Sequence, residues 1–280
     1  MLKSSAKQHP IHGLVASKSR SNLVTLYAQV AIKTLYEDVQ LDKEELEELR
    51  KQLTIHANLR FLHIVQLIGA CTMVPQLFIV TELAPYGSLY SILHTTGPVQ
   101  APHWEDKVYM LWDVARAVEF LHQCNPVIMH QDLRSANVLI FSNCCAKVAD
   151  FGLPKIPKVA LAIASNLVTM ATPTGAYAWM APEVMDGEPY GVRADIYSMG
   201  MIMYEVVSGK LPFHDHSLAQ LMRATLRGRR PEVADADASL AGAGEIIALL
   251  HRCCMHDTGN RPGSKEVSTV MRKIVHSIGG

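Results

Sequence analysis

The sequence predicts an α+β chain, with a strand-rich first third followed by a helix-rich remainder. Two observations carry this. β-Branched and aliphatic runs of strand length recur up to Glu82, interrupted by one helical stretch. Beyond the turn signal Pro85-Tyr86-Gly87, apolar residues recur with the 3.6-residue helical period. Of the 280 residues, 49% are apolar and 19% charged, a globular composition that excludes a disordered or collagen-like chain. No fixed-period repeat is present, which excludes a solenoid.

The elements follow in order. Leu23 to Leu26 and Gln29 to Thr34 read as strands. Asp42, with Glu45 three residues on, forms a capping-box signature for a helix whose apolar stripe is Leu46, Leu49 and Leu53. Ile64 to Cys71 and Leu77 to Glu82 return to strand character. Trp104, Val108, Leu111, Ala115, Val118 and Leu121/His122 then line one face of a long helix. Asp195 to Ser208 is apolar almost all round and predicts a deeply buried helix closed by Gly209. Ser217 to Arg227, Glu245 to Met255 and Ser264 to Ile274 complete the helices.

Lys plus Arg and Asp plus Glu each total 26, so the net charge is zero. A nucleic-acid partner is not expected, because such binders are usually basic. The longest aliphatic stretch, Val159 to Val168, is broken by Ser165 and Asn166 and falls far short of the roughly 20 residues that span a bilayer. No signal-peptide pattern follows Met1. The expectation is a soluble, cytoplasmic chain.

The six cysteines are Cys71, Cys124, Cys144, Cys145, Cys253 and Cys254, with no C-x-x-C spacing. They are expected as buried thiols without a zinc or redox role. The 13 histidines are scattered, with no H-E-x-x-H pair, and read as surface or packed residues.

Four ordered segments carry chemistry: Val30-Ala31-Ile32-Lys33, His130 to Asn137 (HQDLRSAN), Asp150-Phe151-Gly152 and Ala181-Pro182-Glu183. This set resembles the protein-kinase signature, and the likeness runs from about Gly13 to Ile274. Gly175 to Glu183 and Asp195 to Gly200 are similar to the tyrosine-kinase-like group, which includes the Raf-like and mixed-lineage serine/threonine kinases. The resemblance implies a bilobal fold with a small β-rich N-lobe and a larger helical C-lobe. It implies one domain over 1–280: N-lobe about 1–81, hinge about 82–87, C-lobe about 88–280. The sequence begins just before the first strand and ends just after the last helix, so the expectation is that regulatory domains are absent or were removed.

The implied activity is transfer of the γ-phosphoryl group of ATP, with Mg²⁺, to a protein hydroxyl on serine or threonine. Its transition state spreads negative charge over phosphoryl oxygens, so positioning and charge compensation dominate. By the resemblance Lys33 holds the α- and β-phosphates, Asp150 and Asn137 ligate Mg²⁺ through hard oxygens, and Asp132 accepts or orients the substrate proton. Thr81 stands at the gatekeeper position and Glu82, Leu83 and Ala84 at the hinge. Ala31 and Leu139 wall the adenine, and Gly13 belongs to the phosphate-covering glycine loop. Glu183 is expected to pair with Arg261, and Asp195 to cap its helix and bond backbone of the catalytic loop.

The chain also departs from the pattern. Between Ile11 and Ser21 the only glycine is Gly13, where a kinase shows G-x-G-x-x-G. Counting back thirteen residues from Val65, as the family spacing suggests, lands on Gln52 where the lysine's glutamate partner belongs. Glu48, one turn earlier, is the alternative. Gln131 replaces the arginine that receives activation-loop phosphate, so weak dependence on loop phosphorylation is expected; Val159 to Ala164 makes that loop apolar. Ser165, Thr169, Thr172 and Thr174 are candidate phosphosites. Arg134 and Ala176 replace a lysine and a threonine. These departures support an alternative reading, a pseudokinase that binds nucleotide or scaffolds a signalling complex. The protein substrate, the activating signal and the oligomeric state are not legible.

Overall fold

The computed structural model describes residues 13–14, 27–34, 42–73, 76–95, 102–151, 175–233 and 240–279. The chain divides into two compact units. The first comprises residues 1–60, 65–84 and 153–169, and the second residues 61–64, 85–152 and 170–280.

In the first unit, β1 (Gly13–Leu14) pairs antiparallel with β2 (Tyr27–Ala28). A three-stranded antiparallel sheet has the order β3 (Val30–Thr34), β5 (Gln76–Glu82), β4 (Leu67–Met73). Helix α1 (Lys43–Asn58) starts at the expected capping box: Glu45 N–H donates to Asp42 and Asp42 N–H donates to Glu45. Its buried Leu49 and Leu53, with Leu46 and Ile79, pack on Leu67 of β4. The Arg50 guanidinium ties the helix to the Thr72 carbonyl at 3.2 Å. The β4 strand begins three residues later than Ile64, because Phe61–Ile64 belongs to the second unit and a register shift lies between Leu67 and Gly69. The Leu23 to Leu26 strand and the Val159 to Ala164 loop lie outside the described residues.

The second unit is built on helices. Their ranges are α2 (Leu89–His94), α3 (Trp104–Gln123), α4 (Pro182–Met185), α5 (Arg193–Ser208), α6 (Leu218–Leu226), α7 (Ala243–Cys253) and α8 (Ser264–Ile278). The expected stripe of α3 from Val108 to Leu121 is buried. Helix α5 is buried along nearly its whole length and ends at Gly209, whose φ of 66° suits a residue without a Cβ. Its first helical residue is Arg193 and its cap is Val192, so Asp195 sits inside the first turn and does not cap the helix. That position frees its carboxylate for the loop described below. Helix α7 starts at Ala243 and stops at Cys253, leaving Met255 outside, while α8 runs on to Ile278. A short hairpin, β6 (Val138–Ile140) with β7 (Ala146–Val148), completes this unit.

The six cysteines form no disulfide; Cys253 and Cys254 are buried, but the other four are only partly so, against expectation. Those four occupy a strand, a helix end and a hairpin rather than a core helix face. Among the described residues, no helix is long and apolar enough to cross a membrane.

Candidate active site

In the first unit β3 and β5 place the expected nucleotide residues. Ala31 stands opposite Thr81, Lys33 opposite Ile79, and Val30 opposite Glu82. Ala31 and Lys33 are two apart on a strand and therefore share a face. Thr81 is buried, as is Ala84. The Glu82 carboxylate accepts from Gln66 N–H at 2.8 Å, while its own N–H donates to the Gln66 carbonyl at 3.1 Å. That pairing carries the chain into Leu83 and Ala84 with its backbone held. Gly13 pairs with Ala28; the rest of the span from Ile11 to Ser21, apart from Leu14, lies outside the described residues. On α1, the Gln52 amide donates to Glu48 Oε1 at 2.6 Å, so the two candidate partners of Lys33 hold each other.

In the second unit the loop from His130 to Asn137 gathers Asp132, Arg134 and Asn137. Asn137 Nδ2 donates to the Asp132 carbonyl at 2.8 Å and to Asp132 Oδ2 at 2.9 Å. Both amide hydrogens are thereby used, which leaves the Asn137 side-chain oxygen as the atom suited to a hard cation. Arg134 Nε lies 3.3 Å from Asp132 Oδ2, and the Asp132 side chain keeps 48% of its exposure. The loop thus presents a half-exposed carboxylate fixed on one side. Gln131 is exposed, at φ 69°.

The β6–β7 hairpin brings the metal-ligand candidates toward one another. Ala149 N–H donates to the Asn137 carbonyl at 2.9 Å, so the residue before Asp150 is pinned to Asn137. Asp150 takes φ 60°. Left-handed backbone at a non-glycine residue costs on the order of 1–2 kcal/mol and concentrates at functional positions. Phe151 is buried, its ring edge-on to His130 at 6.3 Å. Leu139 sits on β6 and bridges Ser88. A pocket opens beside Asp132, walled by Leu133, Ala176, Trp179, Met180 and Tyr190. Ala176, singled out in the sequence, is therefore at Asp132's side. Gly152, Ser165, Thr169, Thr172 and Thr174 lie outside the described residues.

Two buried carboxylates on α5 hold this loop. Asp195 accepts from His130 N–H (2.8 Å), Gln131 N–H (2.9 Å) and His122 Nε2 (2.9 Å). Burial pushes its pKa upward, but the His122 hydrogen bond, the charges of His130 and His122 and the Gln131 N–H outweigh it, and the net direction is down. Glu205, fully buried, accepts from His94 Nε2 (3.0 Å), Ser135 Oγ (2.7 Å) and Trp179 Nε1 (2.6 Å). There burial dominates over the three donors and the carboxyl is pushed above its ordinary value. Glu183 receives the expected bidentate pair from Arg261, at 2.6 and 2.8 Å.

His94 and Glu205 are not singled out by the sequence, and His122, Ser135 and Trp179 stand there only within a periodic helix face or a motif, without these contacts. The available signal was a glutamate inside the otherwise apolar run of α5: a charge there must find donors.

The family model for protein tyrosine and serine/threonine kinase matches residues 14–271. The chain is 34% identical over 252 residues to serine/threonine-protein kinase STY46 of Arabidopsis thaliana, covering 90% of this chain and 41% of the relative. It is 32% identical over 252 residues to serine/threonine-protein kinase STY17 of the same plant, with coverages of 90% and 41%. Serine/threonine-protein kinase CTR1 of that plant is 32% identical over 251 residues, with coverages of 89% and 29%. The chain therefore spans less than half the length of these relatives.

Proposed function

The chain belongs to the protein tyrosine and serine/threonine kinase family, and from that premise we propose that it transfers the γ-phosphoryl group of ATP to a serine or threonine hydroxyl of a protein. The observation that carries the reading is the Asp132–Asn137 pair. A half-exposed carboxylate is held by an amide whose remaining oxygen is suited to Mg²⁺, beside a pocket walled by Ala176, Met180 and Tyr190.

Each group has a role that its chemistry supports. Asp132 orients the substrate hydroxyl and takes its proton at Oδ1 or Oδ2, where Arg134 and Asn137 fix the carboxylate. Asn137 and Asp150 would hold Mg²⁺, which when bound would neutralise phosphate charge. Lys33 places an ammonium on the α- and β-phosphates. Ala31 and Leu139 cover the adenine faces, Thr81 limits the depth of its site, and the backbone of Glu82, Leu83 and Ala84 reads its edge. Gly13 lies on the strand that covers the phosphates. The substrate protein meets the apolar wall of Ala176, Met180 and Tyr190. The site of action is proposed to be the cytoplasm, where ATP is available.

A melting experiment tests the nucleotide half of this reading. Mg-ATP at 100 times its dissociation constant is expected to stabilise the wild-type chain by about 2.7 kcal/mol. Lys33→Met and Asp150→Asn are each expected to shrink the shift at the same concentration. A wild type whose melting ignores Mg-ATP contradicts it.

A further inference from the structure

We infer that His63, Asp113 and Cys145 form a site for one divalent transition-metal ion of the zinc type, held by imidazole nitrogen, carboxylate oxygen and thiolate sulfur. The site lies within the second unit. Its donors come from three separate stretches: the segment after α1, the middle of α3, and the residue before β7.

The geometry comes first. His63 Nδ1 lies 3.3 Å from Asp113 Oδ1 and 4.0 Å from Cys145 Sγ, and all three donor atoms fall within 4.8 Å of one another. Zinc bonds of about 2.0–2.3 Å in a tetrahedron put neighbouring donors about 3.3–3.7 Å apart. The imidazole and carboxylate already stand at that spacing, and Cys145 must move closer to both to complete the set. This revises the expectation, drawn from motif spacing alone, that no cysteine has a zinc role. The site is assembled by the fold, so no local spacing announces it.

The surrounding backbone preorganises it. Ala146 N–H donates to Asp113 Oδ2 at 3.0 Å, leaving Oδ1 toward His63. Val148 N–H donates to the His63 carbonyl at 2.8 Å, and Ile64 bridges Val148. Phe61 stacks on Phe120 of α3 with centroids 4.4 Å apart. The segment bearing His63 is thus fastened to both elements that bear the other donors.

Proton release accompanies binding. Burial pushes the Asp113 carboxyl up to about 6, against the opposing pull of Ala146 N–H and Arg116. Burial also holds the His63 ring below its ordinary value. On binding, the Cys145 S–H bond breaks, its proton leaves to solvent and a sulfur–metal bond forms. Carboxylate and thiolate together then cancel the ion's two charges. Arg116, 3.9 Å from Asp113, and Lys147 are the positive groups acting on the site, which makes that thiolate charge necessary. His63 Nδ1 gives up its 3.1 Å hydrogen bond to the Ala146 carbonyl, its proton moves to Nε2, a buried atom with no hydrogen-bond partner among the described residues, and a water takes the fourth position. A mixed nitrogen–sulfur–oxygen set discriminates against Mg²⁺, which prefers oxygen ligands, so the site is independent of the nucleotide's metal.

Cobalt titration of the chelator-stripped full chain, in excess Mg²⁺, tests this. The expected result is a one-to-one endpoint, with visible bands of tetrahedral cobalt and a near-ultraviolet thiolate charge-transfer band, both erased by Zn²⁺. Cys145→Ser is expected to remove the charge-transfer band, Asp113→Asn to weaken binding at least about tenfold, and Cys144→Ser to change neither. Zn²⁺ is also expected to protect Cys145, and not Cys144, from alkylation in the wild type, a readout that needs no variant to fold. A featureless titration, a charge-transfer band that survives Cys145→Ser, or alkylation of Cys145 unaffected by Zn²⁺ overturns the assignment.

Discussion

The Trp179 indole N–H donates to Glu205 at 2.6 Å, joining the wall of the pocket beside Asp132 to a carboxylate buried in α5. Ser135, two residues before Asn137, donates to the same carboxylate at 2.7 Å. One buried carboxyl group therefore anchors both the pocket wall and the loop that carries Asp132 and Asn137. Trp179→Phe keeps the ring's bulk and removes the donor. It is expected to cost about 1–3 kcal/mol in denaturant unfolding, and to raise the apparent KM for a protein substrate while leaving that for ATP unchanged. Equal effects on both KM values contradict this division of labour.

Asp195 gives the fold an acid-sensitive contribution. Its folded pKa lies below its unfolded value, so the unfolded chain binds the proton first as pH falls. The stability from this carboxylate is full above its unfolded pKa, near 4, and is lost as pH drops through the folded pKa. Asp195→Asn is expected to lower stability at pH 7 and to flatten its pH dependence below about 4, measured by urea midpoints. A variant that keeps the wild-type slope there contradicts the assignment.

Arg261 shows how much depends on shape as well as charge. Besides Glu183, it donates to the carbonyls of Met255, Arg193 and His256 while only 2% exposed. A lysine supplies charge without the planar fork and cannot serve these acceptors together. Arg261→Lys is expected to destabilise the chain by about 3–5 kcal/mol, read as a lowered urea midpoint. A loss under about 1 kcal/mol is the contrary outcome.

The hydrogen bond between Gln52 and Glu48 changes what a glutamate at position 52 does. Gln52→Glu alone puts two carboxylates in contact, and one of them then favours its proton. Exchanging both, Glu48→Gln with Gln52→Glu, keeps a hydrogen bond with the roles reversed and leaves a charge at 52 for Lys33. The double exchange is expected to raise kcat/KM by up to about tenfold, and the single change by clearly less. A single change equal to the double shows that Glu48 does not matter here.

Local chemistry made much of the fold legible. The capping box of Asp42, the apolar period of α3 and the stop at Gly209 are each decided by a few neighbouring residues. The ordered motifs likewise pointed to Asp132, Asn137 and Glu183. Contacts made across the chain were hidden. His94 and Glu205 are 111 residues apart and His63 and Cys145 are 82 apart, so no window of sequence contains either pair. The start of α5 was misplaced because an aspartate in a first helical turn looks like a cap until its partners, His122 and the backbone of His130 and Gln131, are known.

Phosphotransfer itself bears most directly on the account. With γ-labelled ATP, Mg²⁺ and a generic protein substrate, the wild type is expected to incorporate label on serine or threonine, and Asp132→Asn at least about a hundredfold less. Equal incorporation by the two proteins, with both folded and both stabilised by Mg-ATP, contradicts it and leaves a nucleotide-binding module without catalysis.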